Sequence, residues 1–101
     1  MFQRRIVSNE EAILTVEGAL SGDTADEFQK HLQDLADGGY QRVVLNLTNA
    51  TTVNSSCLGK ILLFRKKLSE KSRTLMISGC NDALYKTLQM IKIDRLIQIV
   101  R

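Results

Sequence analysis

"RVVLNLTNATTVNSSCLGKILLF", residues 42–64, changes period half-way along. Its first part, "RVVLNL" at 42–47, is a nearly continuous apolar run rich in β-branched residues, which fits a strand covered on both faces. Its second part opens a different pattern: Leu58, Ile61, Leu62 and, just beyond, Leu68 recur at helical spacing. Strand followed directly by helix is the repeating unit of α/β folds. At the junction stand two adjacent serines, Ser55 and Ser56, after Asn54 and shortly before Gly59.

The same alternation continues on either side. Towards the N-terminus, "FQRRIV" (2–7) and "AILTVEG" (12–18) alternate and are β-branched, with "SNEE" (8–11) as a tight turn between two strands. In "GDTADEFQKHLQDLADGG" (22–39), Ala25, Phe28, Leu32, Leu35 and Ala36 share one helical face, and Gly38-Gly39 stops the helix. Thr24 and Glu27 have capping-box spacing. Towards the C-terminus, "SRTLMISG" (72–79) predicts a strand, "NDALYKTLQMI" (81–91) a helix capped by Asn81 or Asp82, and "RLIQIV" (95–100) a last strand. The expected fold class is α/β, in the order β-β-α-β-α-β-α-β, with a mostly parallel central sheet, right-handed crossovers and helices packed on it. A chain of 101 residues without linker, repeat or low-complexity segment is expected to be one domain, 1–101.

Composition narrows the function classes. The apolar fraction of 44% and the charged fraction of 25% are those of a soluble globular protein. No apolar stretch approaches the ~20 residues that span a bilayer, and "MFQRRIVSNEE" lacks a secretory apolar region, so a cytoplasmic protein without membrane insertion is expected. Cys57 and Cys80 match no metal or redox spacing, and no cofactor is expected. The net charge of +3 conceals an asymmetry: residues 8–39 carry eight acids and one base, residues 40–101 eleven bases and three acids. Such a division can polarise a surface and favour a complementary partner.

Three roles are open to the serine pair. Asn54, Ser55 or Ser56 can cap the following helix by accepting from one of its unpaired N–H groups. A nucleophilic serine needs a base and an orienting group. The sole histidine, His31, sits at the edge of the first helix's apolar stripe, and neither G-x-S-x-G nor Ser-x-x-Lys is present. An enzyme is therefore not expected. Third, a helix N-terminus can carry a phosphoserine, because free N–H groups and the helix dipole favour an anion there. The same dianion would be costly to bury under a docked partner, so phosphorylation could separate a complex without unfolding the chain.

The stretch 43–68 resembles the signature of bacterial anti-sigma-factor antagonists, the STAS domain: an apolar strand, a short loop, then Asp-Ser-Ser-Gly-Leu-Gly leading into a helix. "LTVEGALSGDTADEFQKHL" and "LYKTLQMIKIDRLIQI" are similar to further parts of that family, as is the expected element order. Three positions depart from its pattern. Asn54 stands in place of aspartate, Cys57 in place of the first glycine, and Ser21 in place of an acidic residue in the loop before the first helix.

The resemblance implies partner switching. The unphosphorylated antagonist binds an anti-sigma factor that is a serine kinase and so regulates transcription. Phosphorylation of the first serine, here Ser55 with Ser56 as second choice, releases the complex, and a PP2C-type phosphatase resets it. The partner-facing residues expected are Ser21 and Asp23 before the first helix and Asn54, Ser55, Ser56, Cys57 and Gly59 at the motif. Lys60, Leu63 and Lys67 follow along the helix, where Leu63 lies off the apolar stripe among Lys60, Lys66 and Lys67. An exposed leucine rimmed by lysines can anchor a partner. One alternative within the fold is a constitutive, unphosphorylated STAS interaction subunit of a signalling or lipid-transport assembly. An alternative of another class is a nucleic-acid binder using Lys60, Arg65, Lys66, Lys67, Lys71 and Arg73. No recognised nucleic-acid motif accompanies those cations, so direct nucleic-acid contact is not expected.

Overall fold

β1 (Phe2–Ile6) pairs antiparallel with β2 (Glu11–Leu20), as expected for two alternating runs joined by a tight turn. In the computed structural model, which describes residues 1–101, the rest of the chain winds forward one strand at a time. α1 (Ala25–Asp37) leads to β3 (Arg42–Val53), α2 (Ser55–Ser69) to β4 (Thr74–Ser78), and α3 (Asp82–Met90) to β5 (Gln98–Val100). The sheet order is β1-β2-β3-β4-β5, with β2 to β5 mutually parallel. The element order and the mixed sheet are those expected from the sequence.

Right-handed crossovers that always advance in one direction put every helix on the same face of the sheet. The buried side chains agree. Leu14, Leu45 and Ile77 pack in one cluster with Phe28 and Leu32 of α1, Ile61 and Phe64 of α2, and Leu84 and Leu88 of α3. The opposite face carries no helix. Arg5, Ile13, Val44, Met76 and Gln98 form one row across all five strands there. This corrects the expectation that "RVVLNL" is covered on both faces. Val43 and Leu45 lie under helices, whereas Val44, 5% exposed, stands outside that cluster in the helix-free row.

Several boundaries move for identifiable reasons. β3 continues to Val53, because residues 49 to 53 still pair with the end of β2, after register shifts in that strand. β5 starts only at Gln98, since Lys92 takes a left-handed conformation and Ile93–Arg95 form a 3-10 turn. The capping box at Thr24 and Glu27 does not form. The Thr24 hydroxyl instead accepts from Ser21 N–H at 3.1 Å and reaches Ala19 O at 3.1 Å, closing the loop before α1. Along α2, Phe64 is buried while Leu62 is only half-buried at the edge of the core.

α1 ends without a basic residue in its last turn. Arg73, just before β4, supplies the missing donors: its guanidinium gives hydrogen bonds to Ala36 O at 2.9 Å, Leu35 O at 3.2 Å and Tyr40 O. A cation bonded to terminal carbonyls satisfies orphan acceptors and complements the helix dipole. At the other end of the sheet Gly79 has φ +72°, and a Cβ there would collide with Thr48 Oγ1. Both conformation and space require glycine at that turn. No helix is long and apolar enough to cross a membrane.

Candidate functional site: the first turn of α2 and the groove beside it

The extension of β3 carries the chain to the serines. Leu20 pairs with Val53, and Asn54 N–H donates to Leu20 O at 2.9 Å. The loop of residues 21–24 is therefore held beside the start of α2. Ser21 is half-buried in it, and Asp23 is exposed.

Asn54 settles which residue caps α2. Its backbone is extended (φ −78°, ψ 169°), and its side-chain Oδ1 accepts from Cys57 N–H at 2.9 Å. Leu58 N–H closes the first helical bond on Asn54 O at 3.0 Å. With the cap supplied by Asn54, Ser55 and Ser56 occupy the first turn as exposed residues with no capping duty. The first turn contains no acidic residue. Its remaining N–H groups and positive dipole end thus have no carboxylate from α2 itself.

One expected surface residue is not on the surface. Cys57 is 0% exposed and belongs to the core cluster, and burial pushes its thiol pKa up, partly opposed by the nearby Lys60 charge. As the third helical residue it points under α2, so its side chain cannot meet a partner. Gly59 is half-buried, and a Cβ built on it would find nothing within 4 Å. The fold does not require glycine there.

Further along α2, Leu63 stands 62% exposed. Beside it runs a groove of about 100 Å³ between α1 and α2, with Leu32, Ala36 and Phe64 among its apolar lining. Two amides of α1 cross it. Gln29 Oε1 accepts from Lys60 Nζ at 2.8 Å, and Gln33 Oε1 from Lys67 Nζ at 3.4 Å. Lys60, Leu63 and Lys67 therefore come together as expected. Gln29 and Gln33 were missed in the sequence. Their spacing of four residues marks one flank of α1, but which helix that flank meets depends on the strand order.

His31 is on the wrong side of α1 for any chemistry with Ser55. Its ring packs on Phe2 of β1, with centroids 5.1 Å apart, and its Nε2 lies 3.9 Å from Glu27. Burial, assisted by Arg4, lowers its pKa, and its Nδ1 is buried without a partner. Among the six cations considered for nucleic acid, two are tied to backbone carbonyls. Arg73 caps α1, and Arg65 Nε donates to Leu96 O at 2.9 Å.

The fold is shared with known proteins. The fold of TM1081 from Thermotoga maritima, described as a candidate anti-sigma factor antagonist, superposes with a TM-score of 0.90 at 25% identity, over 99% of this chain and 86% of that one. The anti-sigma factor antagonist SpoIIAA in its unphosphorylated form gives 0.85 at 16% identity, over 100% and 89% of the two chains. A sulfate transporter family protein from Wolinella succinogenes gives 0.79 at 16% identity, over 95% and 80%. None of the curated proteins matches the chain by sequence. The STAS domain pattern matches residues 3–101, and with the fold and serine turn described above this chain belongs to the STAS domain family.

Proposed function

We propose that this chain is an anti-sigma-factor antagonist, a binding protein rather than an enzyme, that works by partner switching. In the unphosphorylated state the first turn of α2 and the adjoining loop dock on an anti-sigma factor that is also a serine kinase. Transfer of a phosphoryl group to Ser55 adds about two negative charges to a surface that must be desolvated in the complex, and the partner leaves. A PP2C-type phosphatase restores the hydroxyl. Residues 1–101 act as one STAS domain, in the cytoplasm, without membrane insertion or direct nucleic-acid contact.

The observation that carries this reading is the division of labour at the start of α2. Asn54 makes the cap, and Ser55 next to it is exposed and free of structural duty. A phosphate there would gain from the helix dipole, so the fold tolerates the modification that the complex does not. Likeness to a protein described as a candidate anti-sigma factor antagonist, at 25% identity over nearly the whole chain, supports the same reading.

A second reading has its own support. The fold is also that of a sulfate transporter family protein, and Asn54 replaces the aspartate that the family usually places before the serines. On that reading the chain is a constitutive, unphosphorylated interaction subunit. Incubation with the cognate kinase and ATP, followed by mass spectrometry, separates the two. Phosphate on Ser55, with loss of the complex, is expected for the switch. Absence of phosphate, together with undiminished binding by Ser55→Asp, overturns the switch in favour of the subunit.

A further inference from the structure

Ser56, Lys60, Leu63 and Lys67 follow one another at intervals of four, three and four residues, so they stand in one row along α2. Ser55 heads a different row, through Gly59 and the half-buried Leu62 to Lys66. Of these two rows only the first borders the groove between α1 and α2, through Lys60, Leu63 and Lys67. That row is strongly one-signed: α2 has no acidic residue from Ser55 to Ser69. No carboxylate of α1 forms an ion pair with either lysine: Gln29 and Gln33 contact them through amide oxygens, and Asp37, beyond Lys67, accepts from Gln33 Nε2 at 3.1 Å. An amide accepts one N–H and leaves the ammonium its full charge and two further donors. Between the lysines, Leu63 rises beside the apolar floor of Leu32, Ala36 and Phe64.

We infer that this row and its groove seat an amphipathic helical segment of a partner protein, carrying two carboxylates two turns apart with an apolar side chain between them. Lys60 and Lys67 are separated by seven residues, about 10.5 Å along the axis, which is the spacing of carboxylates at i and i+7 on a second helix. The apolar side chain at i+3 or i+4 then lies against Leu63 and enters the groove, where a desolvated aliphatic contact flanked by charges has the anatomy of a binding hot spot. The inference rests on the reading of α2 as the partner-facing helix. It adds the chemistry the partner must present, and it puts Ser56, rather than Ser55, in line with that segment. A phosphate on Ser55, one residue from the head of the row, would repel the nearer carboxylate without touching the apolar contact.

The test uses the whole chain and a defined probe: an end-capped, alanine-based helical peptide about 18 residues long, with Glu at i and i+7 and Leu at i+4. In an amide chemical-shift titration, shifts confined to residues 56–67 and 29–36 are expected. The double variant Lys60→Glu/Lys67→Glu should weaken binding at least about tenfold and bind the peptide whose two Glu are replaced by Lys, as charge complementarity requires. Leu63→Ala should weaken binding with an unchanged melting temperature. No shifts at millimolar peptide, shifts elsewhere, or equal binding of a Leu→Ala peptide or of a DNA duplex would each overturn the proposal. So would a dimer in sedimentation equilibrium that Leu63→Ala dissolves, since the occupant would then be a second copy. No phosphoryl transfer is involved. Failure here beside a phosphorylated Ser55 removes only this docking chemistry, and success beside an inert Ser55 removes only the switch.

Discussion

β3 is one continuous strand with two different halves. From Val43 to Asn46 it is flanked by β2 and β4, and its apolar side chains are buried, as is that of Leu47 which follows. From Thr48 to Val53 it has lost β4, pairs only with β2, and exposes Thr48, Asn49, Thr51 and Thr52. On the side β4 has vacated, Asn81, the cap of α3, donates its Nδ2 to Ala50 O at 3.2 Å and Thr51 O at 3.3 Å. The first half makes the core. The second half is a strut that delivers Asn54 and the serines beyond the sheet edge, where changes in surface chemistry need not disturb packing.

The comparison extends to the two faces of the first half, and there the largest effects are expected. Leu45 points into the helix-covered core, Val44 into the helix-free row between Ile13 and Met76. Leu45→Asp should cost more than ~4 kcal/mol and leave no cooperative melt, because its charge has no route to water. Val44→Asp should remain folded with a loss of about 2–3 kcal/mol, since its carboxylate can reach solvent past the neighbouring strands. Circular dichroism and thermal melting of both variants measure the difference. Equal losses would break the distinction between the faces.

A cation that serves the fold can be set against one that serves the surface. Arg73 satisfies three carbonyls around the end of α1, whereas Lys67 meets only Gln33 across the groove. Arg73→Ala should lower stability by about 2–3 kcal/mol, the scale expected when hydrogen bonds from a charged donor are lost and partly buried acceptors are orphaned. Lys67→Ala should leave the denaturant midpoint within ~0.5 kcal/mol of the parent, as surface substitutions do. A midpoint for Arg73→Ala close to that of Lys67→Ala would mean that solvent replaces the guanidinium and that α1 needs no such cap.

The order of elements was legible because the period changes at each junction, from alternation to helical spacing and back. The strut was not. "TNATT" is polar and has no apolar period, and only pairing with the end of β2 makes it a strand. The bare face was hidden for a different reason: an unbroken apolar run results equally from a covering helix layer and from side chains of adjacent strands closing over a valine. At the site, Ser55, Ser56, Lys60, Leu63 and Lys67 could be placed on an exposed helix surface from spacing alone. Cys57 could not, because family position put it beside the serines while the helix phase turns it inward. Thr24 had the spacing of a capping box, but its hydroxyl is taken by the loop that brings Ser21 to Asn54.

The strut's last residue and its neighbour give a smaller, sharper contrast. Asn54 accepts from Cys57 N–H, and Ser55 does not cap. Asn54→Ala should therefore cost ~1 kcal/mol, the usual worth of an N-cap. Ser55→Ala should change the melting temperature hardly at all, yet it should abolish phosphoryl acceptance. If Ser55→Ala is the more destabilising of the two, the cap has been assigned to the wrong residue.

The smallest effect is expected at Gly59, and it has the opposite sign for fold and for function. A glycine inside a helix costs roughly 0.5–1 kcal/mol relative to alanine, through the freedom it retains in the unfolded chain. Where a close neighbour excludes a Cβ, as Thr48 does at Gly79, that cost is compensated by packing. At Gly59 nothing beyond its chain neighbours and the backbone of its own helix lies within 4 Å of the Cβ position, so no packing inside this chain accounts for the missing methyl. Gly59 follows Ser55 by one helical turn on the same row, and on the proposed function a flat patch there would let a partner's backbone come close to the serines. Gly59→Ala should raise stability by about 0.4–1 kcal/mol in denaturant titration and, in the same preparation, weaken the complex with the kinase. A variant that is more stable and binds as well as the parent would show that the patch lies outside the interface. Contact with the partner would then be confined to the Ser56 row and the groove.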